Sequence, residues 1–210
     1  SNAKRCHGES GGAIDTQICR AFYKLQEAVE IARVDEHFSF AGAVAVDAGA
    51  APGGWTKFLA DDRGCARVYA VDPADIDVRL LSSQDNVRHV RSKVQEAMPA
   101  IMAELASEGR QLDIFVTDLC PHHAEELHSI LRPVLSGMLR PGGLLVVTFK
   151  FGSGYTEQAF DKQAAQEVAK LDGLLQTGRT TLVHLMANRI RERTLIGYAA
   201  TEAEAPEPEK

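Results

Sequence analysis

The sequence predicts an α/β fold of the doubly wound kind, a mostly parallel sheet with helices on both faces, and three observations carry that prediction. Short β-type runs alternate with helical periodicity along most of the chain. One of those runs, Leu144–Lys150 (L-L-V-V-T-F-K), stays largely apolar until its last residue, as a parallel strand covered on both faces does. A glycine-rich stretch follows the first strand, at the place where folds of this class turn sharply and bind ligands.

Taken in order, Asp15–Val34 carries Ile18, Phe22, Leu25, Val29 and Ala32 at alternating spacings of four and three, the stripe of an amphipathic helix. Ala43–Asp47 reads as a buried strand that ends in the glycine-rich turn, and a new helix begins near Gly54–Trp55 and runs towards Ala60. Arg67–Asp72 (R-V-Y-A-V-D) is a second strand ending in an acid, Val87–Val90 a short third, and Gln111–Asp118 a fourth, also ending in an acid. A helix across Glu125–Leu139 and the turn Arg140–Gly143 lead into the fifth, Leu144–Lys150. Thr156–Leu171 reads as a helix, and Thr181–Leu185 and Thr194–Ala200 complete a seven-stranded sheet.

At 210 residues with 45% hydrophobic content, residues 4–200 fit one domain. Ser1-Asn2-Ala3 reads as a tag remnant, and Thr201–Lys210, with four Glu and two Pro, as a disordered acidic tail. No apolar run approaches the roughly 20 residues of a membrane span, and no apolar signal segment follows the first residues, so a cytoplasmic protein without membrane contact is expected. Cys6, Cys19, Cys65 and Cys120 form no C-x-x-C pair and read as free thiols. Cys120, His122, His123 and His128 invite a zinc reading, but their spacing fits no standard pattern, and no metal is expected. The net charge of −6 argues against a protein that coats nucleic acid, while leaving room for a local basic patch; a monomer is expected.

The run Asp47-Ala-Gly-Ala-Ala-Pro-Gly-Gly-Trp55 lacks the G-x-G-x-x-G spacing of a pyrophosphate cradle, opens on an acid and is interrupted by Pro52. A cationic ligand suits it. S-adenosylmethionine carries an ammonium and a sulfonium that Asp47 could attract, with the loop Gly49, Ala50, Ala51, Pro52, Gly53, Gly54 and Trp55 around it. Asp72 ends the next strand, where a carboxylate accepts both hydroxyls of a ribose. The competing reading is a tight strand-to-helix turn with Asp72 as a helix cap ahead of Pro73.

On this motif, D-A-G-A-A-P-G-G-W, the sequence resembles the FtsJ/RrmJ-type ribose 2′-O-methyltransferases. The likeness extends to Arg20–Glu27, Val116–Pro121, Val147–Lys150 and Arg191-Glu192, and so covers nearly the whole chain. It implies a Rossmann-like class I methyltransferase fold, S-adenosylmethionine as cofactor and RNA as substrate, ribosomal RNA or a ribosomal subunit before any other. It also implies a catalytic Lys-Asp-Lys-Glu tetrad at Lys24, Asp118, Lys150 and Glu192, with Asp118 also at the cofactor. The same four roles serve ribose methylation of an mRNA cap, and the alternative of another class is a silent cofactor-binding module in an RNA–protein complex.

The residues themselves bear on that tetrad. Asp118 and Lys150 end adjacent strands, and a charge closing so apolar a run as Leu144–Phe149 needs a partner, so the two are expected to pair. Lys24 sits beside the apolar stripe of its helix with Arg20 one turn away, on a face that could meet RNA. Taken singly, Lys24 and Glu192 read as solvated surface charges. Arg189, Arg191 and Arg193 alternate with Ile190, Glu192 and Thr194, so an extended segment would set the arginines on one face, as phosphate contacts or as an ordinary charged edge, and Glu192 on the other. Lys150 would act either as a base or as a cation that stabilises the developing alkoxide. Lys93 stands where the family often carries an acid for the adenine amine, which leaves that contact to Ser92 or to backbone.

Overall fold

The computed structural model describes residues 20–77, 85–121, 123–150 and 156–201. Ser1–Ala3, Cys6, Asp15–Cys19, His122 and Glu202–Lys210, which figure in the sequence reading, lie outside them.

Strands β1 (Val44–Ala48), β2 (Arg67–Val71), β3 (Val87–Val90), β4 (Leu112–Thr117) and β5 (Leu139–Phe149) pair in parallel. Strand β7 (Arg193–Tyr198) lies antiparallel between β5 and β6 (Thr181–Val183). The seven-stranded sheet has the order β3-β2-β1-β4-β5-β7-β6.

Helices cover both faces because the strands are apolar on both. Val44, Val46, Phe115, Leu145 and Val147 pack beneath helices α3 (Val94–Ser107), α4 (Ala124–Pro133) and α5 (Glu157–Ala169). Their neighbours Ala45, Ile114, Val116, Leu144 and Val146 face α1 (Arg20–Ile31) and α2 (Gly54–Lys57). The period of two thus assigns each residue a layer.

Several element ends differ from the sequence reading, among them α1, which stops at Ile31, and β6, which stops at Val183. Helix α2 spans only Gly54–Lys57 before widening into a π-type turn over Phe58–Asp62. The helix expected over Glu125–Leu139 is α4 followed by a second wide turn, Val134–Met138, with Pro133, which has no amide hydrogen to donate, at the junction. Strand β5 begins at Leu139 rather than after the Pro-Gly-Gly turn. Leu139 pairs with Leu112 and Leu144 with Ile114, so Arg140–Gly143 is carried as a bulge, with Gly142 at φ +70°.

Candidate active site

The strand order reverses between β1 and β4, and an α/β sheet opens a crevice at the carboxyl ends of its strands at such a point. A cleft of about 340 Å³ lies there. Its wall is formed by Asp47, Gly49, Ala50, Ala51, Pro52, Gly54 and Trp55, and by Arg20, Ala21, Lys24, Asp118, Lys150, Ala187, Arg189 and Glu192.

The loop after β1 is held close to its surroundings. Gly49 has φ +80°, and a Cβ there would lie 2.5 Å from Leu119 Cδ2, so backbone conformation and space both call for glycine. Ala51-Pro52 is a cis peptide bond, and Gly53, at φ +116°, starts α2 rather than lining the cleft. Trp55 Nε1 donates to the Ala21 carbonyl at 2.5 Å, which ties the loop to α1.

Asp47 interrupts an otherwise apolar strand and is 1% exposed. It shares the sheet face of Ala45, and from α2 the Thr56 hydroxyl donates to its Oδ2 at 2.6 Å. Burial pushes the carboxyl up to about 7 against the Thr56 hydrogen bond, with Asp118 adding to the rise. An acid in that state gains from a bound cation.

Asp72 directly follows β2, its oxygens accept from the Ala51 amide (3.1 Å) and the Ala74 amide (2.8 Å), and it does not line the cleft. The Ala74 bond closes a tight turn, and among the described residues no helix begins there for Asp72 to cap; Asp72 supports the loop through Ala51.

The four dispersed charges meet in one row. Lys24 Nζ lies 2.8 Å from Glu192 Oε2 and 3.1 Å from Asp118 Oδ1, and Lys150 Nζ lies 3.0 Å from Asp118 Oδ2. Lys150 also donates to the Asp118 carbonyl at 2.5 Å. Read singly as solvated charges, Lys24 and Glu192 are each only 6% exposed. Burial pushes the Glu192 carboxyl up, and the Lys24 ammonium, the Arg189 amide and the charge of Lys150 more than offset this, leaving it below the ordinary carboxylate range.

Topology explains the convergence. Because β7 is antiparallel, its first residue Arg193 pairs with Phe149, the last of β5. Glu192 and Lys150, one position beyond each, are thereby neighbours across the sheet edge.

The expected alternation of Arg189, Arg191 and Arg193 is corrected. Residues 189–192 form a turn in which the Glu192 amide donates to the Arg189 carbonyl and the Arg189 amide to Glu192 Oε2, each at 3.0 Å. Arg189 and Arg191 are exposed, while Arg193 turns inward, 4% exposed, onto Asp161 and Glu157 of α5 and the carbonyls of Ile190 and Glu192.

Sequence reasoning did not single out Thr56 as the partner of Asp47, nor Glu27. The Glu27 carboxylate accepts from the amides of Met186 (2.8 Å) and Ala187 (3.3 Å) and so ties the segment before Glu192 to α1. Neither residue type announces such a role, although Thr56 directly follows the glycine motif. Lys93 is exposed at the start of α3, and the Ser92 hydroxyl donates to Glu96. Among the described residues no three His, Cys, Asp or Glu side chains converge on a metal position, and His128 Nε2 lies 2.7 Å from Glu167 Oε2. No helix among the described residues is long and apolar enough to cross a membrane.

Comparison with known proteins gives matches over most of the chain. A family model described as FtsJ-like methyltransferase matches residues 17–170. The ribosomal RNA large subunit methyltransferase E of Legionella pneumophila (strain Paris) is 30% identical over 163 residues, covering 70% of this chain and 73% of that protein. Among solved structures, one described as a hemolysin from Lactococcus lactis superposes with a TM-score of 0.65 at 16% identity over 91% of this chain and 92% of its own. The N-methyltransferase NodS from Bradyrhizobium japonicum, solved with S-adenosyl-L-homocysteine, superposes with a TM-score of 0.55 at 13% identity, over 86% and 88%. At these identities the two structures establish a shared fold.

Proposed function

This chain belongs to the FtsJ-like methyltransferase family, and we propose that it transfers the methyl group of S-adenosylmethionine to a ribose 2′-hydroxyl of ribosomal RNA. The observation that carries the proposal is the row Glu192–Lys24–Asp118–Lys150 standing in the same cleft as the buried acid Asp47.

The residues present fit the cofactor. Asp47 has one oxygen on Thr56 and a carboxyl raised by burial, a demand for positive charge that the ammonium of the amino-acid end satisfies. Gly49–Ala51 bring backbone to the cleft wall, and Asp72, behind that wall, fixes the loop through the Ala51 amide. When bound, S-adenosylmethionine supplies an electrophilic methyl group.

The rest of the chemistry falls to the chain's charges. A ribose hydroxyl is too weak an acid to ionise at neutral pH, so its oxygen must be stabilised as the proton leaves to solvent. Lys150, held by the Asp118 carboxylate and carbonyl, is the group that stabilises the developing alkoxide. Asp118 holds both lysines, and Glu192 fixes Lys24 from the far side, so the two cations are set before substrate arrives.

The test incubates the protein with methyl-labelled cofactor and, separately, ribosomal subunits, total RNA and capped transcripts, and then maps the label. Label on a ribose of ribosomal RNA is expected. Absence of label from every RNA while the cofactor binds would overturn the proposal, and label on a base or on a cap would redirect it.

A further inference from the structure

Four large apolar side chains are notably exposed among the described residues: Tyr23 (41%), Ile31 (48%), Met186 (93%) and Ile190 (69%). Three of them sit on the two segments that line the candidate active site. Tyr23 adjoins Lys24 on α1, and Met186 and Ile190 flank the cleft-lining Ala187 and Arg189. Ile31 lies at the other end of α1.

The segment that displays Met186 and Ile190 is fastened along its length. The amides of Met186 and Ala187 donate to Glu27, and the Ala187 carbonyl accepts from Arg20. Asn188 is buried and donates to Thr194, the Arg189 carbonyl meets His184 Nε2, and the Ile190 carbonyl accepts from Arg193. Backbone so restrained could have turned its apolar side chains inward; here they stand in solvent. Apolar groups held out beside a cleft mark a contact surface. Arg20, Arg189 and Arg191 are exposed on the same two segments, a positive border on a chain whose net charge is −6.

We propose that Met186 and Ile190 form the contact for an unstacked nucleobase next to the acceptor ribose, with the three arginines on the flanking phosphates. The inference rests on the RNA reading of the cleft and adds to it a part that reads bases. A splayed single-stranded base offers an apolar face and its backbone a negative charge, which together match this border. A protein partner would be suited by the apolar residues but would need carboxylates placed against all three arginines.

The test measures equilibrium binding of a short single-stranded RNA, and of the same RNA carrying a central run of abasic nucleotides, to the full chain and to a Met186→Ser/Ile190→Ser double variant. Both side chains are largely exposed, so the variant should keep its fold, checked by an unchanged thermal shift with S-adenosyl-L-homocysteine. The wild type is expected to bind the abasic RNA about five- to tenfold more weakly than the intact RNA. The variant should show that same loss on intact RNA and no further loss on abasic RNA. Equal binding of both RNAs by the wild type, or wild-type affinity in the variant, overturns the inference. Because the readout is binding, it is independent of the methylation assay: label on ribosomal RNA with no base-dependent binding would leave the enzyme assignment standing and remove this contact.

Discussion

Lys150 has two acceptor atoms from one residue, the Oδ2 and the carbonyl of Asp118, and it stands half-buried one position beyond the buried strand β5. Replacing it with alanine removes the cation nearest the proposed oxygen and leaves Asp118 to Lys24. Methyl transfer by Lys150→Ala is therefore expected to fall about 10²- to 10³-fold with cofactor affinity kept, as measured by single-turnover labelling beside calorimetry. Asp47 gives a pH signature. Its folded carboxyl stands near 7 against an ordinary 3.8, so in the free protein its contribution to stability is full below about 4 and is lost as pH rises through 7. A cationic ligand needs the ionised form, so the binding sign is opposite. Cofactor affinity should weaken as pH falls below 7, approaching tenfold per unit, and the melting-temperature gain on adding S-adenosyl-L-homocysteine should be larger at about pH 8 than at about pH 6. In Asp47→Asn that dependence should disappear.

At the scale of elements, the short segment between β6 and β7 depends on its neighbours more than on its own sequence. It has no helix or strand of its own, and it is fixed by Glu27 from α1 and by Arg193, which bonds Asp161 and Glu157 of α5. Arg193→Met should leave the Ile190 and Glu192 carbonyls without a donor and loosen Glu192 from Lys24. The expected result is a loss of about 2 kcal/mol in stability, kept modest because both α5 carboxylates are more than half exposed, and a drop of about tenfold or more in methyl transfer with cofactor binding intact. Chemical denaturation and rate measurements check the two parts. This segment is also where the sequence was least legible. Alternating Arg and non-Arg residues look alike in a strand and in a turn, and the acids that draw Arg193 inward lie more than thirty positions away. The strands were legible for the converse reason: β1, β4 and β5 are buried on both faces, so their apolar runs record the fold directly. Asp118 and Lys150 could be placed at strand ends by the same logic, whereas the burial of Lys24 required knowing that β7 returns antiparallel and delivers Glu192 to it.

For the molecule as a whole, the charge balance sets how RNA is held. The net charge is −6, and among the described residues Arg20, Arg189 and Arg191 are the exposed arginines on the two segments beside the cleft. Three phosphate contacts on a single strand give a log–log salt slope of about −2, shallow for a nucleic-acid protein. Titration of naked RNA at several salt concentrations is expected to show that slope, and intact ribosomal subunits should be methylated faster than the same RNA stripped of protein. A slope several times steeper would place further phosphate contacts beyond this border. The sheet order has one more consequence. Asp47, the loop after β1 and Asp72 belong to the β1–β2 half, whereas Asp118, Lys150 and Glu192 belong to the β4–β5–β7 half, and α1 spans the seam, with Lys24 on Asp118 and Glu192 and the Ala21 carbonyl on Trp55. Donor and acceptor thus occupy separately encoded ports of one chassis, so the Met186–Arg191 segment could be exchanged for another to retarget the molecule without rebuilding the port that takes the methyl donor.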